Sequence, residues 1–104
     1  MRVLFICNMN LHRSPTAERV FSDRFETRSA GLYGGKMVDA DALSWADLVA
    51  VMDDAQRAEI GKRFPRQYLA KRIVSLDIPD VFARDQPELI SLLESRMAKA
   101  VVLQ

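Results

Sequence analysis

Strands alternating with helices along 104 residues predict an α/β protein, a three-layer α/β/α sandwich around a four-stranded parallel sheet. Three observations carry that expectation. Residues 3–6 and 48–52 are continuous apolar runs of strand length, the pattern of parallel strands buried on both faces. Helix-start signals follow the strands: Ser14 before Pro15, and Asp53 three residues ahead of Gln56. The chain then closes on a helical-period stripe of Leu89, Leu92, Leu93, Met97, Ala100 and Val101.

The elements read in order. After the first strand, Ser14 is placed to cap a helix and Pro15 fits its first turn, with Ala17, Val20, Phe21 and Phe25 on one face. Residues 27–30 make a second strand ended by Gly31, and Gly34-Gly35 opens a loop. Residues 39–44 make a brief helix before the third strand at 48–52. Asp53 and Gln56 form a capping box for a helix that ends between Gly61 and Pro65. The fourth strand covers 73–76, and Asp77-Ile78-Pro79-Asp80 is a polar turn. Asp85 and Glu88 repeat the capping-box pattern ahead of the last helix.

Composition narrows the function. The length suits one domain over residues 1–104, and 49% hydrophobic residues suffice for a core. With 15 basic and 14 acidic residues, net charge gives no reason to expect a nucleic-acid or membrane partner. No apolar run reaches membrane-spanning length, and the opening stretch is too short for a secretory signal. The single cysteine forbids an internal disulfide, and with one histidine it disfavours a zinc site, so no metal or cofactor is expected. The default location is the reduced cytoplasm.

The chemistry concentrates in Cys7-Asn8-Met9-Asn10-Leu11-His12-Arg13-Ser14. A strand end, a helix start and a guanidinium five residues beyond the cysteine would surround one small volume. Backbone N–H groups at a helix N-terminus suit a tetrahedral dianion there. Helix N-termini and neighbouring cations are also the surroundings that favour a thiolate. Cys7 is the candidate nucleophile, Ser14 a hydrogen-bond donor to its sulfur, and Arg13 a planar fork for two phosphate oxygens. Asp80, beyond the fourth strand, lies on the same sheet edge and is the candidate general acid. Blander readings stand beside these. Cys7 also suits core packing, His12 suits a plain loop residue as well as a base, and Asp77 competes with Asp80. Asp53 and Asp85 read as helix caps. Lys62, Arg63, Arg66, Lys71 and Arg72 read as a solvated face, and no Gly-rich nucleotide loop is present.

The segment VLFICNMNLHRSPTAE resembles the signature of the low-molecular-weight protein tyrosine phosphatases at Cys7, Asn10, Arg13, Ser14, Pro15, Ala17 and Glu18. Ser29-Ala30-Gly31, Ala46-Asp47-Leu48 with Met52, and Ile78-Pro79-Asp80 with Phe82 resemble that family's further motifs in the same order. The resemblance implies strand order 2-1-3-4 and hydrolysis of phosphotyrosine in a protein, or of a small aryl phosphate, through phosphocysteine. It implies Cys7 as nucleophile and Asp80 as acid. Arg13 and the amides of Asn8, Met9, Asn10, Leu11 and His12 would bind phosphate, and Ser14 would support the thiolate. Asn10 would hold the loop through bonds to backbone, and Tyr33 and Phe82 would line the mouth. Met9 stands where the family has glycine, His12 where it has a second cysteine, and Val81 where it has proline. The chain is shorter than the family, chiefly between Gly31 and Asp47. Two other functions share the resemblance: a non-catalytic oxyanion-binding module, and an arsenate reductase, whose thioredoxin-coupled form needs cysteines that this chain lacks.

Overall fold

The computed structural model describes residues 1–102, the side chain of Val102 excepted. Four strands, β1 (Arg2–Cys7), β2 (Glu26–Gly31), β3 (Leu48–Val51) and β4 (Arg72–Ser75), form one parallel sheet in the order β2-β1-β3-β4. That is the expected class and order. Helices α1 (Arg13–Val20) and α5 (Pro87–Val102) contribute to one layer, and α2 (Ala40–Trp45) and α3 (Asp54–Arg63) to the other.

Strand periodicity distributes the two cores. Val3, Phe5 and Cys7 of β1, with Leu48 and Ala50 of β3, join Ala17, Phe21, Leu89, Leu93 and Met97 in one cluster. Leu4, Ile6, Val49 and Val51 point to the opposite face and meet Leu43 and Ile60. Because successive residues alternate faces, only unbroken apolar runs can fill both layers. Phe5 and Phe21 stack with ring centroids 5.6 Å apart, fixing α1 over the central strand.

Several boundaries move for physical reasons. Helix α1 begins at Arg13, with His12 at its cap position and no side-chain cap bond. Ser14 is therefore inside the helix, and Pro15 falls among the first four residues, whose N–H groups have no helical partner. The helix ends at Val20, and Phe21 and Phe25 pack on the same core from the turn that follows. Asp53 does cap α3, accepting from the Gln56 N–H at 3.0 Å, but Gln56 does not return a bond to Asp53. Its Oε1 takes the Met52 N–H instead, at 2.7 Å. Helix α3 stops at Arg63 with Phe64 as its cap, and Pro65 opens an additional helix, α4 (Pro65–Ala70). Asp85 does not cap α5. Pro87 fixes the helix start, Gln86 supplies the carbonyl that receives the Ile90 N–H, and Asp85 is left to bond elsewhere.

Candidate active site

The strand order reverses between β1 and β3, and the loop 8–12 leaves β1 at that point on the carboxyl edge of the sheet. Cys7 closes β1 with 3% of its surface exposed. Its Sγ lies 3.0 Å from Ser14 Oγ, a contact that places the hydroxyl one helical residue past Arg13 rather than at a cap. Among the described residues, none of the N–H groups of residues 9–13 is donated to a protein acceptor. Successive free N–H groups at the head of a helix make a cradle for an anion.

Side chains hold that loop open. Asn10 takes the left-handed backbone (φ 54°), which Asn tolerates better than most residues, so Met9 does not have to adopt it. The Asn10 amide donates to Ser14 Oγ at 2.9 Å and to Ser29 Oγ at 3.0 Å, and its oxygen accepts the Lys36 N–H at 3.2 Å. Ser29 in turn donates to Glu18 at 2.6 Å. A chain of hydrogen bonds therefore runs from Glu18 through Ser29, Asn10 and Ser14 to Cys7. Of the backbone bonds expected of Asn10 there is one, and the other two go to hydroxyls. Asn8 is anchored separately: its side-chain oxygen accepts from Gln56 Nε2 at 3.1 Å, and its carbonyl from the Tyr33 N–H at 2.8 Å. Gln56, 1% exposed, thus joins the loop to the end of β3.

Arg13 is 2% exposed, an unusual burial for a cation, and its surroundings explain it. One Nη donates to the Ile78 carbonyl at 2.8 Å and lies 3.6 Å from Asp53 Oδ2, while Nε lies 3.6 Å from Asp80 Oδ1. Asp80 and Arg13 are thus brought together. Asp53, read from sequence as a cap alone, is both a cap and a partner of this guanidinium. Asp77 turns away: its carboxylate lies 3.5 Å from Arg96 of α5.

The remaining candidates take different places. Met9, Leu11 and Val81 are exposed apolar side chains, and His12 is exposed with no side-chain hydrogen bond in the helix cap. Tyr33 is exposed with the Arg63 guanidinium 4.9 Å from its ring centroid. Hydrogen bonding to Glu59 holds that guanidinium above its usual range. Phe82 is half-buried and packs against the core under α1 and α5, while Val81 beside it is exposed. Among the described residues no cluster of three or more His, Cys, Asp or Glu could hold a metal ion, and no helix is long and apolar enough to cross a membrane.

The loop 31–36 approaches residues 9 and 10 so closely that glycine is needed at its nearest points. A Cβ on Gly35 (φ +64°) would lie 2.6 Å from Asn10 Cβ and 2.7 Å from the Met9 carbonyl oxygen. Gly35→Ala is expected to destabilise the fold by about 1–3 kcal/mol through backbone strain alone. At Gly34 the nearest atom is the mobile Cε of Met9, at 2.5 Å, so Gly34→Ala is expected to be milder. Denaturant unfolding of the two variants checks the ranking, and equal losses would contradict it.

The sequence matches no protein-family model and no curated protein. Solved structures do match. A low-molecular-weight phosphotyrosine phosphatase from Vibrio cholerae O395 superposes with TM-score 0.80 at 20% identity, over 97% of this chain and 94% of that one. The YwlE arginine phosphatase from Geobacillus stearothermophilus gives 0.77 at 21%, over 98% and 93%. A mutant YwlE arginine phosphatase with a phosphorylated active-site serine gives 0.76 at 20%, over 97% and 95%. At such identities the likeness establishes architecture: the chain has the low-molecular-weight phosphatase fold.

Proposed function

We propose that residues 1–104 form a single phosphatase domain that hydrolyses an aryl phosphate monoester, with phosphotyrosine as the physiological group. The observation that carries this reading is one short loop that joins the Cys7 sulfur, five N–H groups of residues 9–13 without a protein acceptor among the described residues, and a buried Arg13 whose guanidinium also meets Asp80. In the first step the Cys7 thiolate forms a bond to phosphorus as the ester P–O bond breaks, and the Asp80 carboxylic acid gives its proton to the departing oxygen. Water then attacks phosphorus, Asp80 takes its proton, and the P–S bond breaks. The Ser14 hydroxyl, 3.0 Å away, stabilises the sulfur anion as it leaves. The neighbour with a phosphorylated active-site serine supports a covalent intermediate of this kind.

The substrate class is argued from the rim. Met9, Leu11 and Val81 offer apolar surface to an aromatic ring. That apolar rim favours the ring of phosphotyrosine over phosphoarginine, whose polar guanidinium keeps a positive charge beside the phosphate; phosphoarginine is the second reading suggested by the arginine phosphatase neighbours. Comparing kcat/KM for matched phosphotyrosine and phosphoarginine peptides tests it. Preference for phosphoarginine overturns the aryl assignment, and phosphate binding without turnover of either establishes a binding module instead.

The acid assignment has its own test. Asp80→Asn is expected to slow phenyl phosphate strongly and an activated nitrophenyl ester much less, because an acid matters most when the leaving oxygen is basic. Asp77→Asn is expected to treat both esters alike, since its carboxylate faces Arg96. The measurement is kcat against leaving-group pKa. A new steep dependence in Asp77→Asn and none in Asp80→Asn would exchange the two roles.

A further inference from the structure

The segment 79–86, which carries Asp80, is fastened at both ends to the phosphate-loop side of the molecule. Upstream, buried Ile78 donates its N–H to the Met52 carbonyl at 2.7 Å and offers its own carbonyl to Arg13. Downstream, Arg84 Nε donates to the Leu11 carbonyl at 2.8 Å. The Asp85 N–H donates to Thr16 Oγ1 at 2.9 Å, and the Asp85 carboxylate takes Arg19 Nε at 2.9 Å. Asp85 holds a left-handed backbone (φ 61°) without being glycine, a conformation that persists only where surrounding bonds impose it. Gln86 locks the turn further by accepting the Ala83 N–H at 2.9 Å.

Of these fastenings, Arg84 alone grips the loop that surrounds the sulfur, and it does so 73 residues away in sequence. The Leu11 carbonyl belongs to the same planar trans peptide as the His12 N–H, so the two point in opposite directions. Holding the carbonyl on the Arg84 side turns the His12 N–H away from it, and among the described residues that N–H has no protein acceptor.

We propose that Arg84 is a positioning residue that clasps the Asp80 loop to the Leu11–His12 peptide, setting the reach of Asp80 to the leaving oxygen. The role rests on the acid assignment made above for Asp80. Val81, beside Asp80, brings none of the ring constraint that a proline would supply there. A fixed tether four residues downstream provides the restraint instead. Arg84 acts through Asp80 and need not touch substrate.

The test compares Arg84→Ala, Arg84→Lys, Asp80→Asn and the double variant Asp80→Asn/Arg84→Ala on phenyl phosphate and on an activated nitrophenyl ester. A displaced acid loses part of the catalysis that removing the acid abolishes. Arg84→Ala is therefore expected to lower kcat on phenyl phosphate about ten-fold, with little change on the nitrophenyl ester. Arg84→Lys, which keeps one donor, should recover part of the loss. The double variant should be no slower on phenyl phosphate than Asp80→Asn alone. Arg84 is exposed, so thermal unfolding of Arg84→Ala should match the native chain and exclude a folding defect. Equal losses on both esters, or additive losses in the double variant, overturn the positioning role. If Asp80→Asn itself shows no dependence on the leaving group, the acid assignment fails. If only Arg84→Ala lacks it, the clasp alone is wrong.

Discussion

Cys7→Ser is expected to abolish turnover of both phenyl phosphate and nitrophenyl phosphate while leaving the affinity for inorganic phosphate within a few-fold of the native chain. The two halves separate because they rest on different atoms. Oxyanion binding draws on the free N–H groups of residues 9–13 and on Arg13, none of which the substitution removes. Bond formation to phosphorus draws on the sulfur alone. A serine hydroxyl is a weak nucleophile without an adjacent base. Among the described residues no base lies at hydrogen-bond distance from the sulfur: its neighbour is Ser14, and the next in the chain is the Asn10 amide. Initial rates on the two esters and calorimetric titration with phosphate check both halves. Unchanged turnover would remove the thiolate route altogether. Loss of phosphate binding in a folded variant would mean that the sulfur shapes the loop.

What could be read from the sequence and what could not divide along the range of the interactions. Val3-Leu4-Phe5-Ile6 is apolar at every position because β1 is buried on both faces, and that is a local signal. The cysteine, arginine and serine of the loop are within seven residues of each other, so their convergence was legible as well. The side chains that hold the loop were not. Gln56 was legible only as half of a capping box, and its oxygen serves the Met52 N–H as readily as that of Asp53. Its second bond, to Asn8, spans 48 residues. Arg84 reaches Leu11 across 73 residues, and no periodicity or spacing marks such a contact. Asp53 shows a third limit: a cap is recognisable locally, but the free oxygen beside a buried guanidinium is fixed only by the strand order. Prolines at 15 and 87 permit more than one helix start, so the caps expected at Ser14 and Asp85 lie one or two residues from the observed ones.

Arg13→Lys is expected to lower kcat/KM on aryl phosphates by about two orders of magnitude or more, the scale of removing one preorganised oxyanion donor. Charge is retained, so a simple Coulombic role predicts a small effect. Geometry is what changes. The guanidinium spends one Nη on the Ile78 carbonyl, at 2.8 Å, while Nε, 3.6 Å from Asp80, and the other Nη make no protein hydrogen bond among the described residues and can form the fork for two phosphate oxygens. A single ammonium nitrogen cannot hold a carbonyl on the acid loop and meet two phosphate oxygens in one plane. Lysine would also leave Asp53 and Asp80 poorly compensated beside a buried site, so part of the loss should come from the acid loop relaxing. That contribution is separable. If Arg13 acts on both the phosphate and the acid loop, the lysine variant should bind inorganic phosphate more weakly and also show a steeper dependence of kcat on leaving-group pKa. Thermal unfolding with and without phosphate sets the folding contribution aside. A lysine variant with near-native kcat/KM would make Arg13 a structural cation, buried to join the acid loop to the helix, and would shift oxyanion stabilisation to the backbone N–H groups alone.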